Sequence, residues 1–179
     1  MKQAVFPTLE TDVYALHEQI EQIMGGRSAN HYIWAAEPIG NRMCAITVRS
    51  DRLPKVLEGH GTEVPMEFQE GEEKRFSLVA QCAIRRGENN TRVPIDLDDD
   101  ERRLQWLYRR AALNGFEVSS VEIASVERIR LDKMGARHVA DRTRFEGLLK
   151  VTNPAKFAAA IRNGIGHGKA FGLGLIDIL

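Results

Sequence analysis

Residues 12–48, DVYALHEQIEQIMGGRSANHYIWAAEPIGNRMCAITV, decide the fold. Val13, Leu16, Ile20 and Ile23 recur at the spacing of one helical face, so residues 12–24 are expected to form an α-helix. Thr11 or Asp12 can cap its start, and Gly25-Gly26 stops it. The period then changes. Residues 32–35 and 43–48 are β-rich runs, and Pro38, Gly40 and Asn41 supply a turn between them. A helix followed by an antiparallel strand pair is the middle of a split β-α-β unit. Working outward, residues 2–6 suit a first strand, 53–57 a short helix and 64–68 a closing strand. The order is β-α-β-β-α-β.

The remainder repeats that order. Residues 75–84 have strand character. Residues 98–114 make a strong helix: acidic residues precede it, Leu104, Leu107, Tyr108 and Ala111 line one face, and Gly115 ends it. Residues 118–131 and 142–151 suit a long hairpin. Asn153-Pro154 starts a helix with proline in its first turn, and residues 174–179 suit a last strand. The halves share a pattern rather than a sequence. The expectation is an α+β protein of two tandem ferredoxin-like (RRM-like) βαββαβ domains with antiparallel sheets, one over residues 1–70 and one over 71–179. Many unrelated functions use this fold, so function must come from particular residues.

Composition narrows the classes. The chain has 179 residues, 43% apolar and 28% charged, which argues against wholesale disorder. Its formal net charge of zero hides an asymmetry: residues 1–70 carry six Lys and Arg against ten Asp and Glu, and the rest carry 19 against 15. A bound polyanion would sit mainly on the second half, although chance variation in surface charge gives the same split. Cys44 and Cys82 each lie in an apolar, strand-like run with no metal-ligand spacing. Reduced, buried thiols suit the cytoplasm. No apolar run approaches the ~20 residues of a membrane span, and the N-terminus has no signal-peptide core. A soluble cytoplasmic protein without a membrane partner is expected, with no metal and no cofactor.

Four constellations could carry chemistry. Tyr14-x-x-His17 puts two side chains on one side of the first helix, with His17 at the border of the apolar stripe. A half-buried imidazole suits general acid–base catalysis, and metal-free RNA cleavage needs such groups for the 2′-hydroxyl and the leaving 5′-oxygen. A histidine with a satisfied hydrogen bond at a core edge would look the same. Between the last helix and last strand, GIGHGKAFGLG holds five glycines in eleven residues: Gly164, Gly166, Gly168, Gly172 and Gly174. A C-cap and a tight turn need one or two. Successive N–H groups could form an anion nest, with Lys169 adding charge. The hairpin carries Arg128, Arg130, Lys133, Arg137, His138, Arg142 and Arg144, a ribbon that could track phosphates or be a solvated hairpin with ion pairs. The helix over 98–114 presents Arg102, Arg109, Arg110 and Trp106 opposite its apolar stripe, either toward RNA or toward solvent and a neighbouring element.

The tail GIGHGKAFGLGL, residues 164–175, resembles the G-x-G-x(5)-G-x-G signature of the RAMP superfamily of CRISPR proteins, and within it the CasE branch. DVYALH, residues 12–17, resembles the Tyr-x-x-His of that branch's first helix, and RFEGLL, residues 144–149, its strand before the last helix. The resemblance implies an endoribonuclease that cuts precursor CRISPR RNA at the base of a repeat stem-loop without metal. Its products are a 2′,3′-cyclic phosphate and a 5′-hydroxyl. It implies that the enzyme stays on the crRNA hairpin as a subunit of a type I-E or type IV effector complex. By the same resemblance His17 is the catalytic histidine, Tyr14 its partner, and the signature glycines and Lys169 hold RNA backbone. The alternative is a subunit that holds the crRNA hairpin without cutting. A small-molecule-binding regulator is a third class, and the glycine signature argues against it.

Overall fold

The computed structural model describes residues 1–40, 42–133 and 136–179, with backbone alone for 131–133 and 136–138. Asn41, expected in the first turn, and the side chains of Lys133, Arg137 and His138 therefore lie outside the described residues.

The first unit is β1 (Lys2–Thr8), α1 (Val13–Met24), β2 (Tyr32–Ile39), β3 (Met43–Ser50), α2 (Lys55–Glu58) and β4 (Gly61–Glu63). Its sheet runs β4-β1-β3-β2, antiparallel throughout. Asp12 caps α1 by accepting from the amides of Tyr14 at 3.0 Å and Ala15 at 2.9 Å, and Gly25, at φ 75°, ends it. Leu16, Ile20 and Met24 lie on the buried stripe and pack on Ala4, Ile46 and Val48 of the sheet.

The second unit is β5 (Glu73–Ala80), β6 (Ala83–Arg86), β7 (Thr91–Pro94), α3 (Asp100–Leu113), β8 (Phe116–Lys133), β9 (Ala136–Val151), α4 (Pro154–Asn163) and β10 (Ile176–Ile178). Its main sheet runs β10-β5-β9-β8, the same order as in the first unit. Two such sheets with their paired helices are the expected double ferredoxin-like fold. Asp99 and Asn153 cap α3 and α4 through the amides of Arg102 and Lys156, at 3.1 and 3.0 Å. The core gathers Phe76, Leu78, Trp106, Leu107, Phe116, Phe145, Leu149 and Phe157 between sheet and helices.

Two details differ from expectation. Residues 64–68 are not a strand; pairing with β1 ends at Glu63, and Pro65 has no N–H to extend a ladder. Residues 75–84 are not one strand. β5 ends at Ala80, where its pairing with β9 ends at Thr143, and after Cys82 enters the core the chain leaves as a separate hairpin, β6–β7. Of the two readings left open for Trp106, packing on a neighbouring element holds. Trp106 stacks on Phe145 with ring centroids 6.4 Å apart and is buried against the second unit's core.

The sheets meet through Arg49 of β3, whose side chain is fully buried. Its guanidinium donates to the carbonyls of Ile161 at 3.2 Å and Ile176 at 2.8 Å, to Asp177 at 2.9 Å and to Gln3 at 2.6 Å. Burial lowers its pKa and Asp177 opposes that fall. Ile33, Ala35 and Leu175 form an apolar seam beside it. Cys44 and Cys82 are buried free thiols. No helix among the described residues is long and apolar enough to cross a membrane.

Candidate functional site

The junction of the two units opens a cleft of about 550 Å³. Helix α1 contributes Tyr14 and His17, β7 contributes Arg92 and Pro94, β9 contributes Val139 and Ala140, and Gln81 follows β5. The loop before β10 contributes His167, Gly168, Ala170 and Phe171. The two regions singled out at opposite ends of the sequence therefore share one cavity.

His17 is partly buried. Its Nε2 lies 3.5 Å from the carboxylate of Glu21, one turn along α1. Its Nδ1 is buried and has no hydrogen-bond partner among the described residues. The ring is flanked by Tyr14 at 6.2 Å and Phe171 at 5.8 Å between centroids. The Tyr14 contact is edge-on and the Phe171 contact tilted, so aromatic groups flank the ring where it lines the cleft.

The glycine-rich loop is shaped by packing. The amide of Ile165 donates to Gly174 O at 2.7 Å, and that of Gly174 donates to Val79 O at 2.6 Å, which ties the loop to β5. Gly172, at φ 72°, lies over Trp34 of β2, where a Cβ would stand 2.8 Å from the indole. At Gly174 a Cβ would stand 2.4 Å from Ile165 O. Of the loop's five glycines, Gly168 lines the cleft; the four of the signature, Gly164, Gly166, Gly172 and Gly174, set the loop's path. Lys169 sits in a 3₁₀ turn, Lys169–Phe171, and its carbonyl accepts from Arg27 at 3.1 Å. Its pKa is lowered by burial first, then by Arg27 and Arg110.

His167 lines the same cleft as His17. Nη2 of Arg92 lies 3.0 Å from its Nε2. A guanidinium can only donate, so Nε2 accepts and a neutral ring carries its proton on Nδ1. Burial and the charges of Arg92, Arg110, Lys169 and Arg85 all lower its pKa. Sequence reasoning did not mark His167, Arg92 or Gln81 as site residues. His167 was in view inside the signature; Arg92 lay on a hairpin whose four-residue arms gave too short a pattern to recognise.

Through Gln81, Arg92 and His167 the cleft continues into a second groove of about 570 Å³ with Arg85, Trp106, Arg109 and Arg110 on its walls. Every charged side chain lining this groove is cationic. Arg110 lies over the Trp106 ring at 5.6 Å. Arg109 was expected at such a surface; Arg102 is turned to Asp99 at 3.3 Å. The expected hairpin cations behave differently. Arg128 bonds the Ile95 carbonyl and Asp141, Arg142 reaches Glu127 and the Ala36 carbonyl, and Arg144 pairs with Glu37 and Glu146, while Arg130 is exposed. Among the described residues, no three His, Cys, Asp or Glu side chains are grouped to hold a metal ion.

The fold is shared with solved structures. One of a CRISPR endoribonuclease, Cse3, bound to a 19-nucleotide RNA superposes with a TM-score of 0.85 at 22% identity over 100% of both chains. A chain of a CRISPR RNA-guided surveillance complex does so with 0.71 at 22% identity over 99% of both chains. In sequence, the CRISPR-associated endoribonuclease Cse3 of Thermus thermophilus is 31% identical over 120 residues, 60% of this chain. The match spans 56% of that relative's length. The family model described as CRISPR associated protein matches residues 2–179, and the chain belongs to that family.

Proposed function

We propose that the chain is a metal-independent endoribonuclease of CRISPR RNA maturation, acting in the cytoplasm. It cuts precursor CRISPR RNA within the repeat, at the base of a stem-loop. It then remains on the crRNA hairpin as a subunit of a type I-E or type IV effector complex. The observation that carries this reading is the convergence of Tyr14, His17 and the Gly168–Phe171 loop on one cleft. Residues 1–70 would form the domain that presents Tyr14 and His17, and 71–179 the domain that presents the loop and the cationic groove.

The cleft supplies what 2′-hydroxyl attack on a phosphodiester requires. His17 supplies an imidazole, a group that can take or give a proton. Tyr14 can donate a hydrogen bond to the scissile phosphate. The loop's backbone and Lys169 hold a flanking phosphate. The groove beyond accommodates phosphates of the stem through Arg85, Arg92, Arg109 and Arg110.

The test is single-turnover cleavage of the host's CRISPR repeat RNA in EDTA, with a 2′-deoxy substitution at the cut site as control. Cleavage is expected to survive EDTA and to stop on the 2′-deoxy substrate. His17→Ala is expected to slow cleavage by roughly 10²–10⁴-fold while leaving binding in place. Binding without cutting by the unaltered protein would leave a crRNA-holding subunit.

A further inference from the structure

Phosphodiester cleavage by an internal 2′-hydroxyl needs two proton transfers. One proton leaves the nucleophile and one reaches the departing 5′-oxygen. A single imidazole serves both only by moving its proton between two sites during one event. The cleft holds a second imidazole. His167 lines the same cavity as His17, from the loop rather than from the helix.

We propose that His167 is a second catalytic residue, whose Nε2 takes the 2′-hydroxyl proton while His17 protonates the leaving 5′-oxygen. This inference rests on the cleavage reading above.

The two rings differ in their surroundings in the way a base and an acid must. Facing His167 are Arg85 of β6, Arg92 of β7, Arg110 of α3 and Lys169 of its own loop. Tyr14 and His17 of α1 line the same cleft, as does Gln81. The charged groups near His167 are thus cations, which keep the ring neutral near physiological pH. A neutral ring is the form that can accept a proton. His17 instead has the Glu21 carboxylate 3.5 Å from its Nε2, a neighbour of opposite sign to the cations around His167.

The Arg92 contact also fixes the tautomer. With the proton on Nδ1, the lone pair of Nε2 points at Arg92. A scissile phosphate entering the cleft offers Arg92 a stronger, charge-assisted acceptor. Its departure from Nε2 frees the basic lone pair as substrate binds. The 2′-hydroxyl proton then passes to Nε2, the 2′-oxygen bonds to phosphorus, the P–O5′ bond breaks, and the leaving oxygen takes the proton of His17. The products are a 2′,3′-cyclic phosphate and a 5′-hydroxyl. His167 ends protonated and His17 neutral, and exchange with solvent resets both.

The test measures single-turnover cleavage of the host's CRISPR repeat RNA in EDTA across pH 5 to 9, by the unaltered protein, H167Q and H167R, with RNA affinity measured alongside. H167Q removes the base. H167R supplies a cation and donors but cannot accept a proton at these pH values. His167 is exposed, so both variants are expected to melt with the unaltered protein. Cleavage by each is expected to fall by roughly 10²–10⁴-fold with little change in affinity. The unaltered protein should also lose rate as acid protonates His167, and that limb should vanish from the residual H167Q activity. Cleavage by H167R at the unaltered rate would make His167 a phosphate-binding cation and overturn the proposal. Unchanged cleavage by H167Q with the acid limb intact would overturn it too, while leaving the function standing. Tight binding without cleavage by the unaltered protein would remove the cleavage reading and this inference together.

Discussion

The basic residues of the β8–β9 hairpin and those of the groove beside the cleft look alike in the sequence and differ in the structure. Arg128, Arg142 and Arg144 each meet a carboxylate, and Arg142 and Arg144 also reach across to β2. Arg85, Arg92, Arg109 and Arg110 line a wall with a histidine, a tryptophan and no carboxylate. The first group is tied up in the fold, two of its members joining one sheet to the other; the second is a concentration of like charge. Like charges held together raise the free energy of the empty protein, and a polyanion relieves that repulsion. A cation's partners, more than its presence, decide whether it is available to RNA.

The largest effect that would sharpen this contrast lies at the most committed cation. Arg103 of α3 and Asp141 of β9 are both fully buried and 2.8 Å apart. Arg103 also donates to Thr143 at 3.2 Å and to the Ile95 and Leu97 carbonyls, each at 3.3 Å. Arg103→Met takes the Leu97 carbonyl's donor and leaves the buried Asp141 carboxylate only Arg128 and Thr143, and the Ile95 carbonyl only Arg128. A loss of about 3–5 kcal/mol is expected, with a Tm lower by roughly 10 °C. Thermal unfolding checks it, and an unchanged Tm would mean the pair is dispensable.

The next effect belongs to the groove. R85A combined with R109A removes two cations and leaves both cleft histidines and Arg92 in place. The Tm is expected to stay put while affinity for the repeat hairpin falls about tenfold or more. The slope of log affinity against log salt should become shallower by roughly 0.7–0.9 for each phosphate that the variant no longer neutralises. Filter binding at several salt concentrations measures both. An unaltered slope would place the RNA elsewhere on the molecule.

Much of this arrangement was legible in the sequence. Helices α1, α3 and α4 announced themselves because capping residues and an apolar period coincide in each, at Asp12, Asp99 and Asn153. Tyr14 and His17 were placed at the stripe's edge by the helical period alone. The β6–β7 hairpin was not legible, since two four-residue arms bury too little to leave a period. Arg49 looked like any strand arginine, because the carbonyls of Ile161 and Ile176 that receive it come from a distant segment. Five glycines suggested a phosphate cradle, but Gly172 and Gly174 answer to Trp34 and to Ile165. Local chemistry shows which residues are unusual; their partners emerge only when the chain closes.

The smallest effect tests the committed side most sharply. Arg144 is 30% exposed and shares its guanidinium between Glu37 of β2 and Glu146 of its own strand. A half-exposed ion pair contributes about 0–1 kcal/mol, so R144A should change the Tm little. A double-mutant cycle of R144A with E37A should give a coupling energy in that same range. Two carboxylates on one arginine leave the trio with a net negative charge, which repels phosphate. RNA affinity should therefore be unchanged in R144A. E37Q combined with E146Q should strengthen binding modestly by releasing the cation. A loss of affinity in R144A as large as that of the groove double variant would put this strand in the RNA path and erase the contrast. Unchanged affinity in R144A with tighter binding in E37Q/E146Q would show that its carboxylate partners, not its position, keep Arg144 from the RNA.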